Sequence, residues 1–155
     1  MELRDGWLRF TLPDGVSLAS LAAQHRHHNG SVGFYSQDWY LGEPFTSFVV
    51  PAGAYRLRVT PIPETRAKHP AKALRLLPKR TEFPSAGLVA WAFFAAFRQY
   101  HVKLWPLEYV WCSDHDANGD QVYVGGYELG HHPGFQVHRH LSLRNCHAAI
   151  PMERL

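Results

Sequence analysis

The sequence predicts an α+β fold: a largely antiparallel sheet packed around one buried apolar helix at residues 84–100, with smaller peripheral helices at 17–28 and 70–77. Three observations lead there. Ten residues from Leu88 to Phe97 are apolar around the whole helical circumference, the mark of a helix buried on several sides. Several short stretches alternate apolar and polar residues with the period of a strand, separated by Asp14-Gly15, Pro51-Ala52-Gly53 and Asn118-Gly119. A chain of 155 residues, 46% hydrophobic and 19% charged, is long enough for one well-buried domain and short for two, so residues 1–155 are read as a single globular domain.

Taken in order, residues 7–12 alternate and read as a strand. Residues 17–28 carry Leu18, Leu21 and Ala22 at helical spacing, with Asn29-Gly30 as the stop. His25, His27 and His28 fall in the last turn of that helix, where positive charge meets the helix dipole favourably. Residues 32–40, with Phe34, Tyr35, Trp39 and Tyr40, read as a short strand and a turn. Residues 47–50 and 54–62 read as two strands; in the second, Tyr55, Leu57 and Val59 oppose Arg56, Arg58 and Thr60.

Charge is unevenly placed. Residues 56–103 hold ten basic and two acidic side chains, against three and five before them and three and six after. Within this basic third, residues 70–77 suggest a short amphipathic helix with Leu74 and Leu77 inside and Lys72, Arg75 and Lys79 outside. Those three cations form a candidate anion-binding face, whose partner would be an acidic protein or a polyanion. No aromatic residue interleaves the basic run and no named nucleic-acid motif is present.

The segment after residue 107 holds the candidate metal ligands. Two hairpin registers are open. A tight turn at Asn118-Gly119 would set Asp114 opposite Tyr123. A seven-residue loop, 114–120, would pair Val110 with Val124, Cys112 with Val122 and Trp111 with Tyr123, and it matches apolar residues better on both faces. In that loop Asp114, Asp116, Asn118, Gly119 and Asp120 resemble the first half of an EF-hand calcium loop, although Gly125 stands where that loop has its closing Glu. Downstream, His138 and His140 are expected side by side on the polar face of a strand, together with Gln136, Ser142 and Arg144. Such a pair chelates zinc, iron or nickel if a third ligand arrives, the sources being His131, His132, His147 or Asp114. The pair resembles the histidines of a cupin metal motif, but Leu-Ser-Leu-Arg-Asn follows where that motif places Glu, and the family is not carried over. The candidate metal residues are thus His138, His140, Asp114, Asp116 and Asp120, and the candidate cofactor is a divalent metal: zinc, iron or calcium.

The first residues lack a signal-peptide pattern, and the longest apolar run is short of the ~20 residues that span a bilayer, so the chain is read as soluble, cytoplasmic and without a membrane partner. Cys112 and Cys146 match neither a zinc knuckle nor a redox pair. No complete catalytic constellation is present. The leading expectation is a small binding or interaction module, of undetermined ligand and not itself catalytic. The alternatives are a metal-dependent enzyme using His138 and His140, and an anion- or nucleic-acid-binding protein acting through residues 66–80.

Overall fold

The long apolar segment folds as helix α4, Ala86–Tyr100, and two sheets contribute to the core around it. The structure is a computed structural model and describes residues 1–26, 31–140 and 142–155. Its class is α+β. The first sheet has strand order β1-β2-β3-β8, formed by Glu2–Arg4, Trp7–Leu12, Gly53–Arg58 and Met152–Arg154, all antiparallel. The second has order β6-β5-β4-β7, formed by Gln136–His138, Gln121–Gly125, Tyr109–His115 and His147–Ala148. Its β4–β7 pairing is parallel and the others antiparallel. Three shorter helices, α1 (Leu18–Gln24), α2 (Pro44–Ser47) and α3 (Pro70–Arg75), lie in the connections between strands.

Helix α4 starts where two acceptors meet its free amides. Ser85 Oγ accepts from the Leu88 amide, and Asp114 Oδ2 accepts from the Ala86 amide at 2.6 Å. The helix ends at His101, which takes the left-handed conformation. Phe93 is fully buried and touches the rings of Phe94, Tyr127 and Phe135, all at centroid distances between 5.1 and 5.5 Å. Trp91 is only partly buried and lies against Phe10 of the first sheet.

The two sheets differ in how they are covered. In β2 and β3, Leu8, Phe10, Leu12, Tyr55 and Leu57 are buried, while Arg9, Thr11 and Arg58 face outward. This one-sided burial is what their alternation foretold. The second sheet is buried on both faces. Val110, Cys112, Val122 and Val124 join the main core with α4, while Tyr109, Trp111 and Tyr123 pack with Ala73, Phe83 and Ala149. Tyr109–Cys112 of β4 and Val122–Val124 of β5 are therefore continuous apolar runs.

Several expected boundaries move. The sheet is two sheets, and α1 stops at Gln24; His27 and His28 lie outside the described residues. His25 caps α1 and stacks flat on Phe94 at 4.0 Å. Burial, aided by Arg98, lowers its pKa, which favours a neutral ring over the expected cation. Residues 44–47 are helical, because Pro44 enters at a first-turn position, so the strand expected at 47–50 is absent and Phe48 and Val49 stay about half exposed. Residues 32–40 form no strand: Phe34 makes isolated bridges to Arg26 and Phe135. Behind this contact, a Cβ on Gly134 would stand 2.6 Å from Tyr35 Cα, so only glycine allows the two backbones to meet.

Candidate functional site

The β4–β5 hairpin positions most of the acidic candidates. Its pairing follows the longer-loop register at Tyr109↔Gly125, Val110↔Val124 and Trp111↔Tyr123. A bulge then brings His115 opposite Gln121, which leaves the turn at residues 116–120 and withdraws Asp114 from it. Asp114 is the helix-capping carboxylate described above. Burial raises its pKa, and the Ala86 amide works against that rise.

Asp116 organises the turn. Its Oδ1 accepts from the Asn118 and Asp120 amides, each at 2.9 Å, and its Oδ2 accepts from Arg139 Nη1 at 2.8 Å. Arg139 also reaches Glu43 Oε1 at 3.3 Å and lies 4.3 Å from the centre of the Trp39 ring. Glu43 in turn accepts from the Ala117 amide. Burial works to raise the Asp116 pKa, but the Asp120 amide, Arg139 and the Asn118 amide outweigh it and hold the carboxyl below its usual value. The neighbouring His140 places Nε2 at 3.6 Å from Asp116 Oδ2 and Nδ1 at 3.3 Å from Asp120 Oδ2. Asp116, Asp120 and His140 each offer a ligand atom within 4.8 Å of the others, and theirs is the single such group of three among the described residues.

His138 is not part of that group. Strand β6 ends at His138, and His140 has a φ of 61°, so the chain turns out of the extended path and the two rings part. The expectation of two histidines side by side on one polar strand face is corrected by this break. Gln136, also expected on the wet face, is buried. Its Nε2 donates to the Gly126 and Leu129 carbonyls, which orients the amide and leaves Oε1 to accept from the Tyr109 hydroxyl at 2.9 Å and from His138 Nε2 at 2.7 Å. In this arrangement His138 carries its proton on Nε2. Burial, then Arg144 and His147, lowers its pKa and favours the neutral ring.

His147, one of the anticipated third ligands, joins His138 rather than His140. Both rings pack on Tyr109 and Tyr123. His147 is fully buried; its Nδ1 accepts from the Arg144 amide at 3.0 Å, and burial lowers its pKa. Cys112 is also fully buried, with its thiol pushed well above the ordinary value by burial, so it is a poor nucleophile.

The basic candidates sit on and after α3, whose buried Ala73 packs with Tyr109, Trp111 and Tyr123, rings that His147 also touches. Helix α3 ends at Arg75, so Lys79 stands in the turn beyond it and not on the same helical face as Lys72 and Arg75. Pro70 and Ala73 are the buried residues of the helix; of the two leucines expected inside, Leu77 packs partly buried beside them and Leu74 is 48% exposed. Arg66 is absorbed internally by Glu108. Lys72, Arg75, Lys79 and Arg80 are exposed and have no carboxylate partner among the described residues.

Beside these cations runs a groove that sequence reasoning missed. One part, about 440 Å³, lies between Pro70, Ala71 and Leu74 of α3 and Ser113, His115 and Gln121 of the hairpin. A second part, about 190 Å³, continues toward Phe48 and Met152, and the two share Glu82, Phe83 and Ser113. A larger cavity, about 620 Å³, lies between α1 and residues 34–41. The sequence signal for the groove was the non-helical stretch 80–85 next to exposed leucines, which resembles an ordinary connection.

Comparison with known protein families, curated proteins and solved structures finds no match. Among the described residues, no helix is long and apolar enough to cross a membrane.

Proposed function

We propose that this protein is a non-catalytic binding module that recognises an anionic partner, an acidic protein or a polyanion, through the surface of α3 and the turn after it. One observation carries the reading: Lys72, Arg75, Lys79 and Arg80 crowd one short stretch without a carboxylate partner among the described residues. Arg56 and Arg139 have close carboxylates, whereas Arg9, Arg58 and Arg98 also have none among the described residues but stand apart from one another in sequence, so the crowding of the α3 cations is what distinguishes them. An uncompensated cluster raises the local potential, steers anions and makes binding salt-dependent. Cys112 and Cys146 are free thiols, which suits a reducing cytoplasm. The test is retention on immobilised heparin at low salt, followed by elution in a salt gradient. The triple variant Lys72→Gln, Arg75→Gln, Lys79→Gln should elute markedly earlier; unchanged elution would move the partner surface elsewhere.

A second reading is a divalent-metal centre on Asp116, Asp120 and His140, favoured by their mutual approach. Two carboxylates and an imidazole suit zinc or iron better than calcium, which prefers oxygen throughout. Against it stands Arg139, whose guanidinium already holds the Asp116 oxygen nearest His140. The enzyme built on His138 with His140 has no such support, since the two rings serve different neighbourhoods. Zinc titration followed by the His140 ring signals tests this reading: no shift at stoichiometric metal removes it.

A further inference from the structure

We infer that the groove beside α3 takes a segment of an acidic protein, with an aliphatic side chain seated between α3 and the β4–β5 hairpin and flanking carboxylates on the α3 cations. This rests on the anionic-partner reading above and narrows it to one class of partner.

The cations alone would serve a nucleic acid as well as a protein. What stands next to them distinguishes the two. The groove is walled by Pro70, Ala71 and Leu74 and floored by Phe83. Among its lining residues, Leu74 is 48% and Phe48 52% exposed. Next to the cations the wall is aliphatic, at Pro70, Ala71 and Leu74, while the rings of the groove are His69, His115, the buried Phe83 and, in the second part, the exposed Phe48; the surface adjoining the charge therefore suits an aliphatic side chain better than a stacked base. An amphipathic polypeptide uses both features together, apolar anchors in the groove and charge at the rim.

Charge also sets the orientation. Glu82 is exposed and belongs to both parts of the groove. A partner carboxylate beside it would be repelled, so the partner's acids belong on the α3 side, toward Arg75, Lys72 and Lys79. Two histidines, His69 and His115, line the same groove. His69 Nδ1 accepts from the Ala71 amide and so helps to start α3, which makes its ring part of the wall.

The experiment compares three fluorescein-labelled probes on the full chain by anisotropy: a short peptide of Glu and Asp interrupted by Leu, the same peptide with Leu replaced by Ser, and a heparin fragment. The Leu peptide should bind more tightly than the Ser peptide. Lys72→Gln, Arg75→Gln, Lys79→Gln together should weaken it about tenfold, since each rim charge contributes modestly. Ala71→Trp, at an exposed position, should block the groove, and Leu74→Ser should weaken the Leu peptide about fivefold without touching heparin. Glu82→Gln should tighten the Leu peptide. Circular dichroism of each variant confirms the fold, and Leu74→Ser provides the groove test if Ala71→Trp fails to fold. Equal binding of the Leu and Ser peptides, or no response to both groove variants, overturns the groove proposal and leaves the anionic reading standing. Binding of heparin but of neither peptide replaces the acidic protein by a polyanion. Failure of all three probes at low salt overturns both.

Discussion

Asp116→Ala isolates the network that holds the hairpin turn against the rest of the molecule. The substitution removes the acceptor for two backbone amides and for Arg139. The carboxylate exposes no surface of its own, yet it lies just beneath the turn, and Arg139 is 27% exposed. Water can therefore reach the freed amides, and the cost falls below the ~3–5 kcal/mol of a fully buried broken pair. Hydrogen bonds to a charged group contribute about 1.5–3 kcal/mol each when sheltered. With partial re-solvation and with Glu43 still beside Arg139, we expect a loss of about 2–3 kcal/mol. Asp116→Asn keeps a carbonyl for the amides and loses mainly the charge on Arg139, so about 1 kcal/mol is expected. Urea unfolding should show the Ala variant's midpoint lowered by roughly 1–2 M at unchanged slope. The two variants also separate in pH. Because the folded carboxyl lies below the unfolded value near ~3.9, its contribution is complete above that pH and disappears as pH falls through the folded value. Native protein and Asp116→Asn should thus converge in stability at the acid end. An Asp116→Ala cost below about 0.5 kcal/mol would refute the view that this carboxylate anchors the turn.

Phe93→Ala should cost about 3–5 kcal/mol, because a fully buried ring with three aromatic neighbours leaves a cavity; calorimetry checks it, and a loss under about 1 kcal/mol would remove α4 from the centre of the core. His25, His138 and His147 should all titrate below the ordinary 6.5 in a ring-proton NMR titration. Their folded values being depressed, the stability they confer is present above 6.5 and declines as pH falls below it; normal titration of His147 would contradict its burial. Gly134→Ala should destabilise by about 1–3 kcal/mol through its clash with the Tyr35 backbone, measured as an earlier thermal midpoint.

Periodicity alone determined the class and the best-defined elements. The all-round apolar run from Leu88 to Phe97 could satisfy itself only as a buried helix. Alternation placed β2 and β3, since one wet and one dry face leave a period of two in the sequence. The apolar matching of Val110 with Val124 and Trp111 with Tyr123 gave the hairpin register as far as the bulge. The bulge itself was not legible: whether Asp114 binds in the loop or caps a helix depends on Ala86, 28 residues away in sequence, arriving beside it. The same holds for the histidines. Spacing puts His138 and His140 on one face only while the strand continues, and contacts from Gln136, Asp116 and Asp120 divide them between two neighbourhoods. Lys72, Arg75 and Lys79 were visible as a basic cluster, but that they lack internal carboxylates, and that a groove runs beside them, depends on where residues 80–85 and the hairpin pack. Local sequence encodes which face of an element is dry; partners distant along the chain decide what each polar side chain meets, because a hydrogen bond or ion pair forms over a few ångströms of space and not over any fixed interval of sequence.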